Sequence, residues 1–245
     1  LYVGGNFTNL AGIANADYFA KYTVSNNTWS AIGTAITRST VPEVSKIAIS
    51  PNGTIYIGGS FDSAGGDTNC NNIAYFDNVA NDWRPLSTGL NGWVKDIRFA
   101  PDGRLLIGGG FTNADGTNGD YICWWDGSAF RSFMDLGAPE LNDWVNSIDI
   151  NPTGTIIIGG DFTNAGGDSN ADYVAAWRGN NWGALMAGGV SHSSISASVK
   201  NVFCKSNGDI YITGIINRDV FTLEDDDIAI PILSSKIPCG IAEND

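Results

Sequence analysis

Apolar and polar residues alternate along this chain in short runs, and the runs recur as a set. Leu1–Phe7 (LYVGGNF) returns as Ile55–Phe61 (IYIGGSF), Leu105–Phe111 (LLIGGGF) and Ile156–Phe162 (IIIGGDF), with a weaker copy at Ile210–Ile216 (IYITGII). The copies begin at positions 1, 55, 105, 156 and 210, so the unit is 50 to 54 residues long. Ahead of four copies runs an alternating segment that closes in a turn: Lys46–Gly53, Asp96–Gly103, Ser147–Gly154 and Asn201–Gly208. Asn-Gly and Asp-Gly suit tight turns because both residues tolerate positive φ. Behind the first four copies comes a loop rich in Gly, Asn and Asp, then a third run: Phe19–Tyr22, Ile73–Asp77, Ile122–Asp126 and Val174–Trp177. A fourth run starts on Trp29, Trp83, Phe130 or Trp182 and places Ile32, Leu86, Phe133 or Leu185 three residues later. Period-two alternation, β-branched and aromatic content, and turn residues at fixed offsets predict four short strands per unit, named a to d, with the glycine pair on strand b.

Repeats of about 50 residues with several strands each are the signature of propeller blades. The prediction is an all-β propeller of four-stranded antiparallel blades, about five in number, forming a single domain. Its blades fall near residues 1–33 (partial), 44–88, 94–134, 145–186 and 199–234, with 235–245 a tail or a ring-closing strand. The chain opens on strand b, and Ile228–Leu233 reads as the last strand d, so one strand a is wanting. Ile237–Ile241 could supply it and close a five-bladed ring; otherwise the chain reads as a fragment of a longer protein or a processed form. Closure matters because an open ring exposes strand edges.

Composition narrows the setting. Charged residues are 16% and glycines number 31, which suits turns rather than helices, and no apolar run is long enough to span a bilayer. Net charge is −13, a surface that repels phosphate, so nucleic acid is excluded as a partner. Cysteines stand at 70, 123, 204 and 239 without Cys-x-x-Cys spacing, which excludes a zinc-ribbon site. Cys123 and Cys204 fall in strands and read as buried; Cys70 lies in a b–c loop and Cys239 in the tail, and no disulfide pairing is specified. Asn6, Asn26 and Asn52 head Asn-x-Thr sequons, acceptors for glycans in a secretory pathway. Together these features predict an extracellular, cell-surface or virion protein.

The unit built on Leu1–Phe7, and carried best by Trp83–Ile97 and Phe162–Trp182, resembles the kelch and galactose-oxidase-like propeller superfamily. It is most similar to repeats of large secreted surface proteins, fungal cortical polarity-marker proteins, bacterial surface proteins, and phage or large-virus proteins. The resemblance covers about Leu1 to Leu185 and fits the fifth unit poorly. It implies a propeller scaffold. The enzymes of that superfamily, copper radical oxidases, need two His ligands, whereas this chain has one histidine, His192. His192 sits in a serine-rich loop, Ser191–Ser198, without nucleophile-elbow context. Carboxylates are plentiful, but they recur at repeat-equivalent turns, as loop geometry would require.

Strands alternate in direction, so b–c and d–a loops emerge on one face and the short a–b and c–d turns, such as Pro51–Gly53 and Pro101–Gly103, on the other. The long loops Thr8–Asp17, Asp62–Asn72, Thr112–Asp120 and Thr163–Asp172 share the first face, where function usually resides. Trp93 and Trp144 stand at equivalent places before strand a. They are either platforms at the channel mouth for a sugar ring or a partner protein, or plugs between blades. Trp29, Trp83, Trp125, Trp177 and Trp182 follow the repeat and read as core. Acidic clusters occupy the b–c loops: Asp67, Asp115 with Asp120, and Asp168 with Asp172. Asp168, Asn170 and Asp172 alternate oxygen ligands as a calcium loop does, although Asx turns use the same residues. The expectation is a non-catalytic interaction and assembly module, with other protein subunits or surface glycans as partners and no membrane insertion. A lectin-like role is the alternative and a carbohydrate-active enzyme the third reading. Calcium is the one cofactor considered.

Overall fold

The computed structural model describes residues 1–116, 119–139, 141–185 and 195–216, with the side chains of 115, 195–197 and 216 outside the description. His192, Cys239 and the segments Ile228–Leu233 and Ile237–Ile241 lie outside the described residues.

The alternating runs fold as antiparallel sheets in sequence order. β1 (Tyr2–Gly4), β2 (Phe19–Thr23) and β3 (Thr28–Ser30) form a three-stranded blade. After β4 (Ile36–Thr37), the second blade comprises β5 (Glu43–Ile49), β6 (Ile55–Ser60), β8 (Ile73–Asp77) and β9 (Asp82–Pro85), with the two-residue β7 (Ser63–Ala64) in its b–c loop. The third holds β10 (Val94–Phe99), β11 (Leu105–Gly109), β12 (Ile122–Trp125) and β13 (Phe130–Ser132). The fourth holds β14 (Val145–Ile150), β15 (Ile156–Gly160), β16 (Val174–Trp177) and β17 (Trp182–Gly183). β18 (Ile195–Cys204) and β19 (Ile210–Ile216) pair as the described part of a fifth. Helical structure among the described residues is confined to four 3-10 turns, and no helix is long and apolar enough to cross a membrane. The predicted fold class is therefore correct.

The repeating glycine has a packing reason. A Cβ built on Gly4, Gly58, Gly108 or Gly159 would lie 2.4–2.7 Å from Cγ1 of Val44, Val94, Val145 or Val199, the valine on strand a of the next blade. The first glycine of each pair thus lets one blade seat against its neighbour. In the fifth copy Thr213 holds this place.

The hydrophobic core lies between blades rather than within one. Phe61, Phe111 and Phe162 are fully buried, as are Trp83, Leu86 and Ile57; each large side chain contributes about 1.5–3 kcal/mol. Trp83 receives Phe19 of the first blade edge-on at 5.1 Å. Phe133 joins the third blade to the fourth, 4.9 Å from Trp182 and 4.8 Å from Trp177. The expectation for the repeat tryptophans needs adjustment. Trp83 and Trp182 are buried, but Trp29, Trp125 and Trp177 are half-buried, and Trp124 takes the inward place beside Trp125. In period-two strands only one of two adjacent side chains faces the neighbouring blade. Among the cysteines, Cys70 is buried despite its loop position and Cys204 is only half-buried. Cys70, Cys123 and Cys204 are free thiols. Burial pushes the thiol of Cys70 up to about 12 and that of Cys204 to about 11, so both are inert at neutral pH.

One feature of the fold gave no sequence signal: β4 pairs antiparallel with β7, Ile36 opposite Ala64 and Thr37 opposite Ser63. The connection from first to second blade is thereby tied to the second b–c loop.

Candidate functional site

β5, β10, β14 and β18 are the innermost strands and lie side by side around the axis. Each is stitched to the next by polar side chains that alternate along the strand with Ile97, Phe99, Ile148 and Ile150. Asp96, 2% exposed, stands 2.9 Å from Lys46 Nζ of the second blade and accepts the Ile148 N–H of the fourth at 2.8 Å. Asp149, also 2% exposed, stands 2.7 Å from Arg98 of the third blade and accepts the Cys204 N–H of the fifth at 2.7 Å. The Ser147 hydroxyl accepts the Val202 N–H at 3.2 Å. Buried carboxylates persist when paired and hydrogen-bonded, and these hold successive blades in register. Sequence reasoning passed over them, because Asp96 and Asp149 alternate with apolar neighbours as solvent-facing strand residues do.

At the loop-face end of these strands the structure brings the two singled-out tryptophans together. The rings of Trp93 and Trp144 meet edge-on with centroids 6.0 Å apart. Trp93 is 37% exposed and Trp144 half-buried. Lys95 Nζ lies 4.5 Å from the Trp93 ring and 5.5 Å from that of Trp144, and the Arg38 guanidinium lies 5.1 Å from the Trp93 ring. A Cβ on Gly110 would fall 2.4 Å from Trp144, so the glycine backbone lies against that indole. The arrangement is neither a pair of open platforms nor a pair of buried plugs. It is a cation–aromatic cluster that bridges the third and fourth blades at the mouth of the channel, each close contact worth about 0.5–1 kcal/mol at an exposed site. Arg38, carried by the β4 connection, also hydrogen-bonds Ser60 and stands 3.8 Å from Asp62.

The neighbouring junction is polar. Asp161 accepts hydrogen bonds from Asn146 at 3.1 Å and from the Ser198 hydroxyl, and lies 3.5 Å from Lys200 Nζ. The Asn146 amide also donates to the Val199 carbonyl at 3.0 Å.

The b–c loops around this mouth share one construction. Asp17, Asp120 and Asp172 each accept the N–H of Asn9, Asn113 and Asn164, at 2.6, 2.6 and 2.7 Å. Those asparagines take left-handed φ, as do Tyr18, Tyr121 and Tyr173. The segment expected to suit calcium belongs to this construction. Asp168 accepts the N–H groups of Ala184 at 2.9 Å and Asn170 at 3.0 Å, which hold its carboxyl below the usual carboxylate range. Asp172 closes the loop on Asn164, while Asn170 is exposed. Among the described residues no group of three His, Cys, Asp or Glu side chains is placed to hold a metal ion. Asx geometry accounts for these residues without calcium.

All three sequon asparagines are exposed. Asn6 follows β1 on the loop-face side. Asn26 lies in the c–d turn of the first blade and Asn52 in the a–b turn of the second, both on the hairpin face.

Successive blades packed side by side through their inner strands, with divergent side chains where those strands begin, make a β-propeller scaffold. Residues 35–209 match the family described as Rax2 C-terminal beta propeller domain, and the chain belongs to that family. Among solved structures it is similar to the WD40 β-propeller domain of Doa1, with 17% identity and a TM-score of 0.44 over 69% of this chain. The chain spans 47% of that structure. No curated protein matches it in sequence. The family match supports the propeller part of the resemblance drawn from the repeats and does not bear on its kelch part.

Proposed function

We infer that the protein is a non-catalytic interaction module of the cell surface and docks a partner protein on the mouth that carries Arg38, Trp93, Lys95 and Trp144. The observation that carries this reading is the state of the indoles. Sugar recognition by tryptophan needs an open ring face to stack a pyranose. Here cations lie over the Trp93 ring and Gly110 backs Trp144. Aromatic and arginine side chains gathered in a partly desolvated patch are the usual anchors of protein interfaces. The three exposed sequons fit a surface location, and glycans on Asn26 and Asn52 would coat the hairpin face while leaving the mouth clear.

The test is site-specific photo-crosslinking in the native setting, with the probe at Asp143 beside the mouth or at Asp102 on the hairpin face. The reading expects one discrete adduct from Asp143 and none from Asp102. A glycan-array signal abolished by Trp93→Ala or Trp144→Ala, without an adduct from Asp143, would replace it with the lectin reading.

A further inference from the structure

The four inner strands share a device that docking by the tryptophans leaves unused. The pairing of strand a with strand b slips by one residue between Val44 and Lys46, Val94 and Asp96, Val145 and Ser147, and Val199 and Asn201. Such a bulge leaves one residue unpaired and re-aims its side chain. The bulged residues are Ser45, Lys95, Asn146 and Lys200, one per blade at the same height, two residues inside the mouth positions Glu43, Trp93, Trp144 and Ser198. Although Asp and Glu outnumber Lys and Arg by 26 to 13 in the chain, these four described positions hold two lysines and no carboxylate.

Lys95 is held over two indoles, and no described carboxylate lies within ion-pair distance of it. A cation held by aromatic faces keeps its full charge and is already in place for an anion. Lys200, with its side chain 53% exposed, stands one blade beyond Asn146 and 3.5 Å from Asp161, a half-buried carboxylate already hydrogen-bonded by Asn146 and Ser198. Arg38 joins from the rim.

We propose that this bulge ring reads carboxylates, and that its ligand is an acidic, extended peptide segment of the docked partner. The proposal rests on the docking reading above. Cations at separate blades suit carboxylates repeated along a peptide, and the occupied indole faces disfavour an acidic sugar. The strongly negative remainder of the surface repels acidic chains in general, so only a segment whose carboxylates meet the ring gains from binding.

The experiment measures binding of a fluorescent oligo-glutamate peptide to the full chain, beside oligo-glutamine and oligogalacturonate, at low and physiological ionic strength. Oligo-glutamate is expected to bind, to weaken as salt rises, and to lose about tenfold or more in affinity in the Lys95→Gln/Lys200→Gln variant. The Lys95→Arg/Lys200→Arg variant, which keeps both charges, should retain binding and so separates loss of charge from loss of fold. Equal binding of oligo-glutamine, or an unchanged affinity in the glutamine variant, overturns the proposal. Oligogalacturonate binding as tightly as oligo-glutamate overturns its peptide part. A crosslink from Asp143 that persists in the glutamine variant would leave the docking reading standing while the carboxylate reading falls.

Discussion

The b–c loops and the channel mouth share one face and follow opposite rules. In the loops, equivalent positions carry the same residue for the same bond: Asp17, Asp120 and Asp172 close on Asn9, Asn113 and Asn164, and Tyr18, Tyr121 and Tyr173 turn with φ of 60–63°. At the mouth, equivalent positions diverge: Glu43, Trp93, Trp144 and Ser198, then Ser45, Lys95, Asn146 and Lys200. Recurrence across blades marks what the chain needs to fold, because each loop solves the same closure problem. Divergence on an identical backbone marks what distinguishes one blade from another, and recognition requires that asymmetry. The second blade shows the rule bending. Asn71 and Asn72 replace the Asp-Tyr pair, and the Asn72 amide accepts the Phe61 N–H at 3.3 Å and donates to the Leu90 carbonyl at 2.8 Å. Its loop is braced further by β4 against β7, and that same connection delivers Arg38 to the mouth.

The contrast can be broken or sharpened by substitution. The largest effect is expected from Asp149→Ala, which strands the Cys204 N–H and Arg98 at a buried blade junction; denaturant unfolding should show a loss of about 2–4 kcal/mol. Next comes Asp172→Ala, which opens a repeated loop closure and should cost about 1–2 kcal/mol, with Asp17→Ala and Asp120→Ala matching it. Unequal losses among those three would undo the claim that the loops are equivalent. Trp93→Ala should abolish the Asp143 crosslink and cost about 1 kcal/mol of stability, through the lost edge-on contact with Trp144 and the lost cation contacts of Lys95 and Arg38. Smallest of all, calcium at about 10 mM, above the ~1 mM range of weak extracellular sites, should leave the melting temperature unchanged. A rise that is lost in Asp168→Asn would instead assign calcium to this loop.

Much of the scaffold was legible because propeller blades repeat. Strand order, turn positions and the separation into a loop face and a hairpin face all follow from spacing and alternation. Trp93 and Trp144 were legible as a pair because they interrupt the repeat at equivalent places. Less was legible where contacts cross blades. Asp96 and Asp149 looked like ordinary strand charges, yet each partners residues about 50 positions away on both sides. Cys70 looked like a loop residue and is buried beneath that loop. The bulges at Ser45, Lys95, Asn146 and Lys200 left no mark in residue type, since any side chain can occupy an unpaired strand position.

By itself, then, the sequence determined the blade, because alternation, glycine and turn chemistry act within a few residues of chain. Tertiary structure decided how blades meet: which tryptophan turns inward, which carboxylate finds a cation, and which lysine comes to rest between two indoles. Those outcomes depend on side chains from different repeats arriving within a few ångströms of one another, and only the packing of neighbouring blades brings them there.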